Sequence, residues 1–174
     1  MALKVPVSPD DHIRGNIDAP ITLIEYGDYQ CPHCRTAEPI AREVERHFGD
    51  QIRFVFRNFP LSEIHPYADA AAQAAEFASD YDKFWEFHDL IYQNQDSLSI
   101  PMLFGLADSL KIPSKDLELA LHKNLYQPKV RSDFMGGVRS GVNGTPTFFI
   151  NETRYNGPVT YDDLVLAIEN VFVK

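Results

Sequence analysis

Cysteine is nearly absent from this chain. There are two in 174 residues, both in the tetrapeptide Cys31-Pro32-His33-Cys34. None remains for a structural disulfide framework, so the pair works with itself or with a visiting thiol. A structural zinc site needs four ligands, and His47, His65 and His88 show no ligand spacing to the cysteines. A c-type haem needs histidine directly after the second cysteine, where Arg35 stands, and an iron–sulfur cluster needs more thiolates. No metal and no organic cofactor is therefore expected. Cationic charge is also scarce: 16 Lys and Arg face 25 Asp and Glu, for a formal charge of −9. That deficit argues against the basic face a nucleic-acid or anionic-membrane binder needs. No run approaches the roughly 18 apolar residues of a membrane span, so no membrane insertion is expected. Internal repeats, low-complexity tracts and long apolar heptads are missing too. One domain, or one with a large insertion, is expected, and as a monomer. Met1 to Asp11 holds neither the apolar core nor the cleavage site of a signal peptide. As written the chain reads as cytoplasmic; as a mature form or an excised domain it reads as periplasmic or otherwise extracytoplasmic.

What is present suits a packed α/β protein. A chain this long buries roughly 70% of its unfolded surface and needs no staple. The first twenty residues, with Pro6, Pro9, Gly15 and Pro20, read as an extended arm with turns. Ile21-Thr22-Leu23-Ile24-Glu25-Tyr26 reads as a strand buried on both faces. Gly27 and Asp28 are turn residues. Ala37, Ile40, Ala41, Val44 and Phe48 then recur at helical spacing, with Gly49 placed as a cap and a kink expected about Pro39. Ile52 to Arg57 alternates as a strand, so strand–helix–strand implies a parallel crossover. From about Pro66 to Ser140 the pattern is helical throughout. Helices are expected from Pro66 through Ala78, around Phe84 to Ile91, and over Pro101–Leu110, Ser114–Leu121 and Gln127–Arg139. That is too much helix for a loop. Strand character returns at Thr147 to Ile150. Asn156-Gly157 carries a hairpin-type signal, and a closing helix starts about Tyr161.

The setting of the cysteines has a mechanical meaning. Between a buried strand and a helix, Cys31 falls at the helix N-terminus, where unpaired N–H groups and the helix dipole stabilise a thiolate. Cys31 is then the attacking and leaving sulfur. Cys34, one turn deeper, closes the disulfide or resolves a mixed one. Pro32 suits the first helical turn, and a protonated His33 would add positive charge beside the thiolate. A more stable thiolate makes the disulfide a stronger oxidant. Gly144-Thr145-Pro146-Thr147 precedes a strand; Pro146 there holds either a cis bond in a tight turn or an ordinary trans loop. Glu25, near the end of an apolar strand, is either a partly buried acid that exchanges protons with Cys34 or a solvent-facing strand end. His65 is either turned to the cysteines or a loop histidine. Arg35 steers substrates or is a solvated charge. Phe84, Trp85 and Phe87 read as core rather than a peptide groove.

Taken together, these segments resemble the DsbA-like branch of the thioredoxin superfamily. The resemblance lies in Ile21 to Tyr26, Cys31-Pro32-His33-Cys34, Phe56-Arg57-Asn58-Phe59-Pro60-Leu61, Phe84 to Leu90 and Gly144 to Ile150, and spans nearly the whole chain. It implies a thioredoxin fold with an inserted all-helical subdomain: residues 1–64 and 141–174 thioredoxin-like, 65–140 the insertion. It implies that Pro146 is cis and faces the cysteines, that the Thr145 backbone pairs with a bound peptide, and that Glu25 is the family's buried acid. The activity implied is bacterial thiol–disulfide exchange with protein or peptide thiols, with a further redox partner recycling the dithiol. Pro-His between the cysteines resembles the strongly oxidising members; Thr before the proline is also found in relatives with isomerase or reductase roles. A reductase or isomerase, a peptide-binding module without catalysis, and a glutathione-handling transferase are the alternatives.

Overall fold

In the computed structural model, which describes residues 1–173, five strands form one mixed sheet in the order β1-β3-β2-β4-β5. The strands are β1 (His12–Gly15), β2 (Ile21–Gly27), β3 (Ile52–Asn58), β4 (Thr147–Ile150) and β5 (Thr153–Arg154). β2 and β3 are parallel, joined by helix α1 (Pro32–Phe48); the other pairings are antiparallel. Between β3 and β4 the chain makes α2 (Ala68–Ser79), α3 (Phe84–Gln93), a 3-10 turn at Gln95–Ser97, α4 (Ile100–Ser109), α5 (Ser114–His122) and α6 (Gln127–Arg139). Helix α7 (Tyr161–Phe172) closes the fold against α1. No helix among the described residues is long and apolar enough to cross a membrane.

β2 is buried at every position because the sheet is covered on both faces. Ile21 and Leu23 face a core shared with α1, α3 and α7, including Ala37, Val44, Phe87 and Leu164. Ile24 and Tyr26 face a smaller core with Val55, Phe59, Val142 and Phe149. This two-sided burial gives the strand its continuous apolar run. Helix α2 is buried almost all round. Its alanines 71, 72, 74, 75 and 78 allow close approach of α3, α4, α5 and α6, so the alanine run is a packing face. α1 continues through the exposed Pro39 as one helix.

Two local expectations are corrected. The N-terminal arm contains a strand: β1 pairs antiparallel with β3, from His12 opposite Phe56 to Gly15 opposite Arg53. Four residues with one aliphatic side chain carry no alternation. What holds them is the ladder, together with Arg14, which reaches Glu38 and Glu45 on α1. The β4–β5 reversal lies at Asn151-Glu152, not at Asn156-Gly157. Asn151 takes a φ of 53° there, which its short amide side chain tolerates, and its Oδ1 accepts the Thr22 N–H at 2.8 Å.

Candidate functional site

β2 ends at Gly27, and four residues later Cys31 caps α1 with extended backbone angles, φ −74° and ψ 121°. Pro32 opens the helix and costs it no hydrogen bond. Pro32 and His33 are exposed, whereas Cys31 is 4% exposed and Cys34 fully buried; both are free thiols. Cys31 Sγ lies 3.6 Å from the carbonyl oxygen of Thr145, and the Thr145–Pro146 peptide bond is cis. The turn before β4 and the start of α1, distant in the chain, thus meet at one sulfur.

The two sulfurs differ in proton affinity. A hydrogen bond from the Cys34 thiol pulls Cys31 down to about 5 against the opposing effect of burial, helped by the Thr145 side chain and the Cys34 and His33 backbone N–H groups. Burial pushes Cys34 well above the usual cysteine range, reinforced by its bond to Cys31 and by the nearby Glu25 carboxylate. The Asp28 N–H donates to Cys34 Sγ at 3.5 Å.

Glu25 is buried, 1% exposed, so the solvent-facing alternative is wrong. It sits opposite Phe56 on β3 and Phe148 on β4, and neither of its oxygens has a hydrogen-bond partner. Burial raises its proton affinity well above the carboxylate range, and the negative charges of Glu38 and Cys31 add to this while Arg14 opposes it. Burial thus favours the protonated form of Glu25.

Three features of the site lay outside the sequence expectations. Asp28 organises the catalytic turn: its carboxylate accepts the Gln30 N–H at 2.7 Å, the Leu61 N–H at 2.8 Å and a bond from His65 Nδ1 at 2.8 Å. The bond to Gln30 is an Asx turn, a local signal that an aspartate three residues before a helix N-cap can announce. His65 thus reaches the turn through Asp28. Gln95 joins the turn from the helical segment. Beneath it, Tyr29 bonds His88 Nδ1 at 2.9 Å, and His88 Nε2 bonds Glu38 at 3.1 Å. His88 and Arg14 hold Glu38 down at about 2 against burial.

The peripheral residues also find places. Arg35 pairs with Asp96 at 2.6 Å on the surface. Trp85 packs against Phe54, with the Arg14 guanidinium over its ring. Among the described residues one group has metal-ligand proximity, Glu38, His88 and Asp89. Arg14 and Arg42 already pair with its carboxylates, so two fixed cations stand where a metal would.

A family model described as thioredoxin matches residues 7–170. BdbD from Bacillus subtilis, in a crystal structure of its oxidised form, is similar at TM-score 0.87 and 27% identity, covering 97% of this chain and 96% of that one. Wolbachia pipientis alpha-DsbA1 matches at TM-score 0.84 and 19% identity over 97% and 94% of the two chains. The catalytic domain of Proteus mirabilis ScsC matches at 0.79 and 20% over 96% and 92%. Among curated sequences, a protein named Na(+)/H(+) antiporter NhaA 1 from Salinispora arenicola is 42% identical over 171 residues, 98% of this chain and 26% of that protein. The chain spans about a quarter of the length of such curated relatives.

Proposed function

The chain belongs to the thioredoxin family, in its DsbA-like branch, and we propose that it is a thiol–disulfide oxidoreductase that donates the Cys31–Cys34 disulfide to substrate dithiols. One observation carries this reading: Cys31 sits at the N-terminus of α1, 3.6 Å from the Thr145 carbonyl, with Cys34 buried one turn deeper; that setting draws the proton affinity of Cys31 down to about 5 and pushes that of Cys34 up.

In the oxidised protein a substrate thiolate attacks Cys31 Sγ. The Cys31–Cys34 bond breaks, a mixed disulfide forms on Cys31, and Cys34 leaves with the electron pair. Cys34 holds a proton strongly, so the leaving sulfur must be protonated. Glu25, whose burial favours its protonated form, supplies that proton and is reprotonated as the second substrate thiol gives up its own. The second substrate thiol, losing its proton, then attacks the substrate sulfur of the mixed disulfide. The substrate leaves as a disulfide and Cys31 as a stabilised thiolate. The dithiol gains the two electrons and the substrate loses them. The Thr145 carbonyl, 3.6 Å from Cys31 Sγ, is placed to accept a backbone N–H of the docking peptide. Pro32 and His33 are exposed where that peptide arrives.

The stabilised thiolate is what supports the oxidising direction. At pH 7 a thiol titrating near 5 is about a hundredfold more ionised-stabilised than an ordinary one, which raises the potential by about 60 mV. The test is the equilibrium potential of the pair in glutathione buffers, read by thiol alkylation. A value at least about 60 mV above the roughly −270 mV of a thioredoxin-type reductase, about −210 mV or higher, is expected, and one near about −270 mV would reassign the protein as a reductase.

A further inference from the structure

The segment between α3 and α4 touches the catalytic turn through one side chain. Gln95 opens the 3-10 turn Gln95–Ser97 and is 8% exposed. Its Nε2 donates to the Tyr29 carbonyl at 2.8 Å and to the Cys31 carbonyl at 2.9 Å, which uses both protons of the amide. The Cys31 carbonyl also accepts the Arg35 N–H at 3.2 Å, the first bond of α1. The donors of the turn are taken up from within: the Gln30 N–H by Asp28 Oδ1 and the Cys31 N–H by the Asp28 carbonyl at 3.1 Å. Gln95 meets its acceptors from outside. Pro32 has no N–H, so the peptide on which Cys31 turns into the helix has only its carbonyl to be held by.

We propose that Gln95 is a positioning residue for disulfide exchange: a side chain of the helical segment that, by tying the Tyr29 and Cys31 carbonyls together, aims Cys31 Sγ at the first turn of α1 and at the Thr145 carbonyl. The proposal rests on the thiol–disulfide reading of the dithiol and extends it to a residue more than sixty positions away. Without the amide, two buried carbonyls lose a donor and the Cys31 peptide is free to tilt. The sulfur then loses part of its alignment with the N–H groups that favour its anion.

A neighbouring contact separates aiming from simple docking. Asp96 pairs with Arg35 at 2.6 Å, fastening the same segment to α1 without touching the turn. The experiment compares the full chain with its Gln95→Met and Asp96→Ala variants. It reads the Cys31 thiolate by absorbance near 240 nm against pH, the equilibrium constant with glutathione, and thermal unfolding. In Gln95→Met the thiolate midpoint should rise by roughly 0.5 to 1, and the equilibrium constant should fall about three- to tenfold, or about 15 to 30 mV. Asp96→Ala should titrate as the parent does. An unshifted Gln95→Met overturns the proposal. So does an equal shift in both variants, which would mean that docking of the segment alone matters. A parent chain that neither titrates near 5 nor exchanges with glutathione overturns the dithiol reading itself, and the proposal with it. Should Gln95→Met fail to fold, Gln95→Asn, with the amide on a stem one methylene shorter, should shift in the same direction, and its failure to shift is equally decisive.

Discussion

Glu25→Leu should make the protein more stable and a slower catalyst, and the stability gain should depend on pH. The carboxyl group is fully enclosed, flanked by Phe56 and Phe148, and both oxygens lack a partner. Burying an unpaired polar group costs about 1–3 kcal/mol by mutational measures, even when it is neutral. Leucine of similar volume removes that cost. The charge adds a second contribution. An unfolded glutamate titrates near 4.3, whereas the folded group is raised well above that. A raised acid favours folding fully below about pH 4.3 and loses that benefit as pH rises towards its folded value. The parent should therefore lose stability relative to Glu25→Leu from about pH 4.3 upward. A gap of about 1–3 kcal/mol at pH 4 should be larger at pH 7. For a chain of this size it corresponds to roughly 2–10 °C in melting temperature. Urea unfolding of both reduced proteins at pH 4, 5.5 and 7 measures the gap. Exchange with a dithiol peptide at pH 7 should fall by about two orders of magnitude, the lower range for loss of a general acid–base group. A gap that stays constant or narrows as pH rises would refute the reasoning, as would a less stable variant.

Two further outcomes follow from the same site. Cys31, near 5 in the folded dithiol and about 8.5 unfolded, contributes stability that is present above pH 8.5 and lost as pH falls through 5. The reduced parent should thus lose about 2 kcal/mol relative to Cys31→Ser between pH 8 and pH 5, allowing for the solvent side of the sulfur; denaturant unfolding at the two pH values shows this, and a constant difference would count against a stabilised thiolate. Asp28→Ala strands the Gln30 and Leu61 N–H groups and His65, and should cost about 2–4 kcal/mol, whereas Arg35→Ala, at an exposed pair, should cost less than about 0.5 kcal/mol. Equal costs in a chemical unfolding series would mean that Asp28 does not organise the turn.

How far the sequence reaches is clearest around β2. Its continuous apolar run marks a strand covered on both sides, and the Pro32 start and Gly49 end of α1 are likewise local, so Cys31 and Cys34 could be placed on a helix N-terminus from the text alone. Glu25 could not be placed from spacing alone; only the family resemblance favoured burial. An acid near the end of such a strand is buried or wet according to what pairs beside it, and Phe148 lies at the far end of the chain. β1 carries almost no alternation, because its partners are the backbone of β3 and the carboxylates of α1. The hairpin signal at Asn156-Gly157 was outcompeted by Asn151, whose side chain bonds across to β2.

The sequence alone determined the element types, the order of strand, helix and strand, and the dithiol at a helix start, since each depends on neighbours within a few residues. The tertiary structure alone decided that a Cys34 hydrogen bond and burial split the two sulfurs, that Glu25 is enclosed, and that Asp28, His65 and Gln95 meet at the turn. Those properties arise from desolvation and from hydrogen bonds between segments far apart in the chain. Neither leaves a periodic trace in the residues that take part.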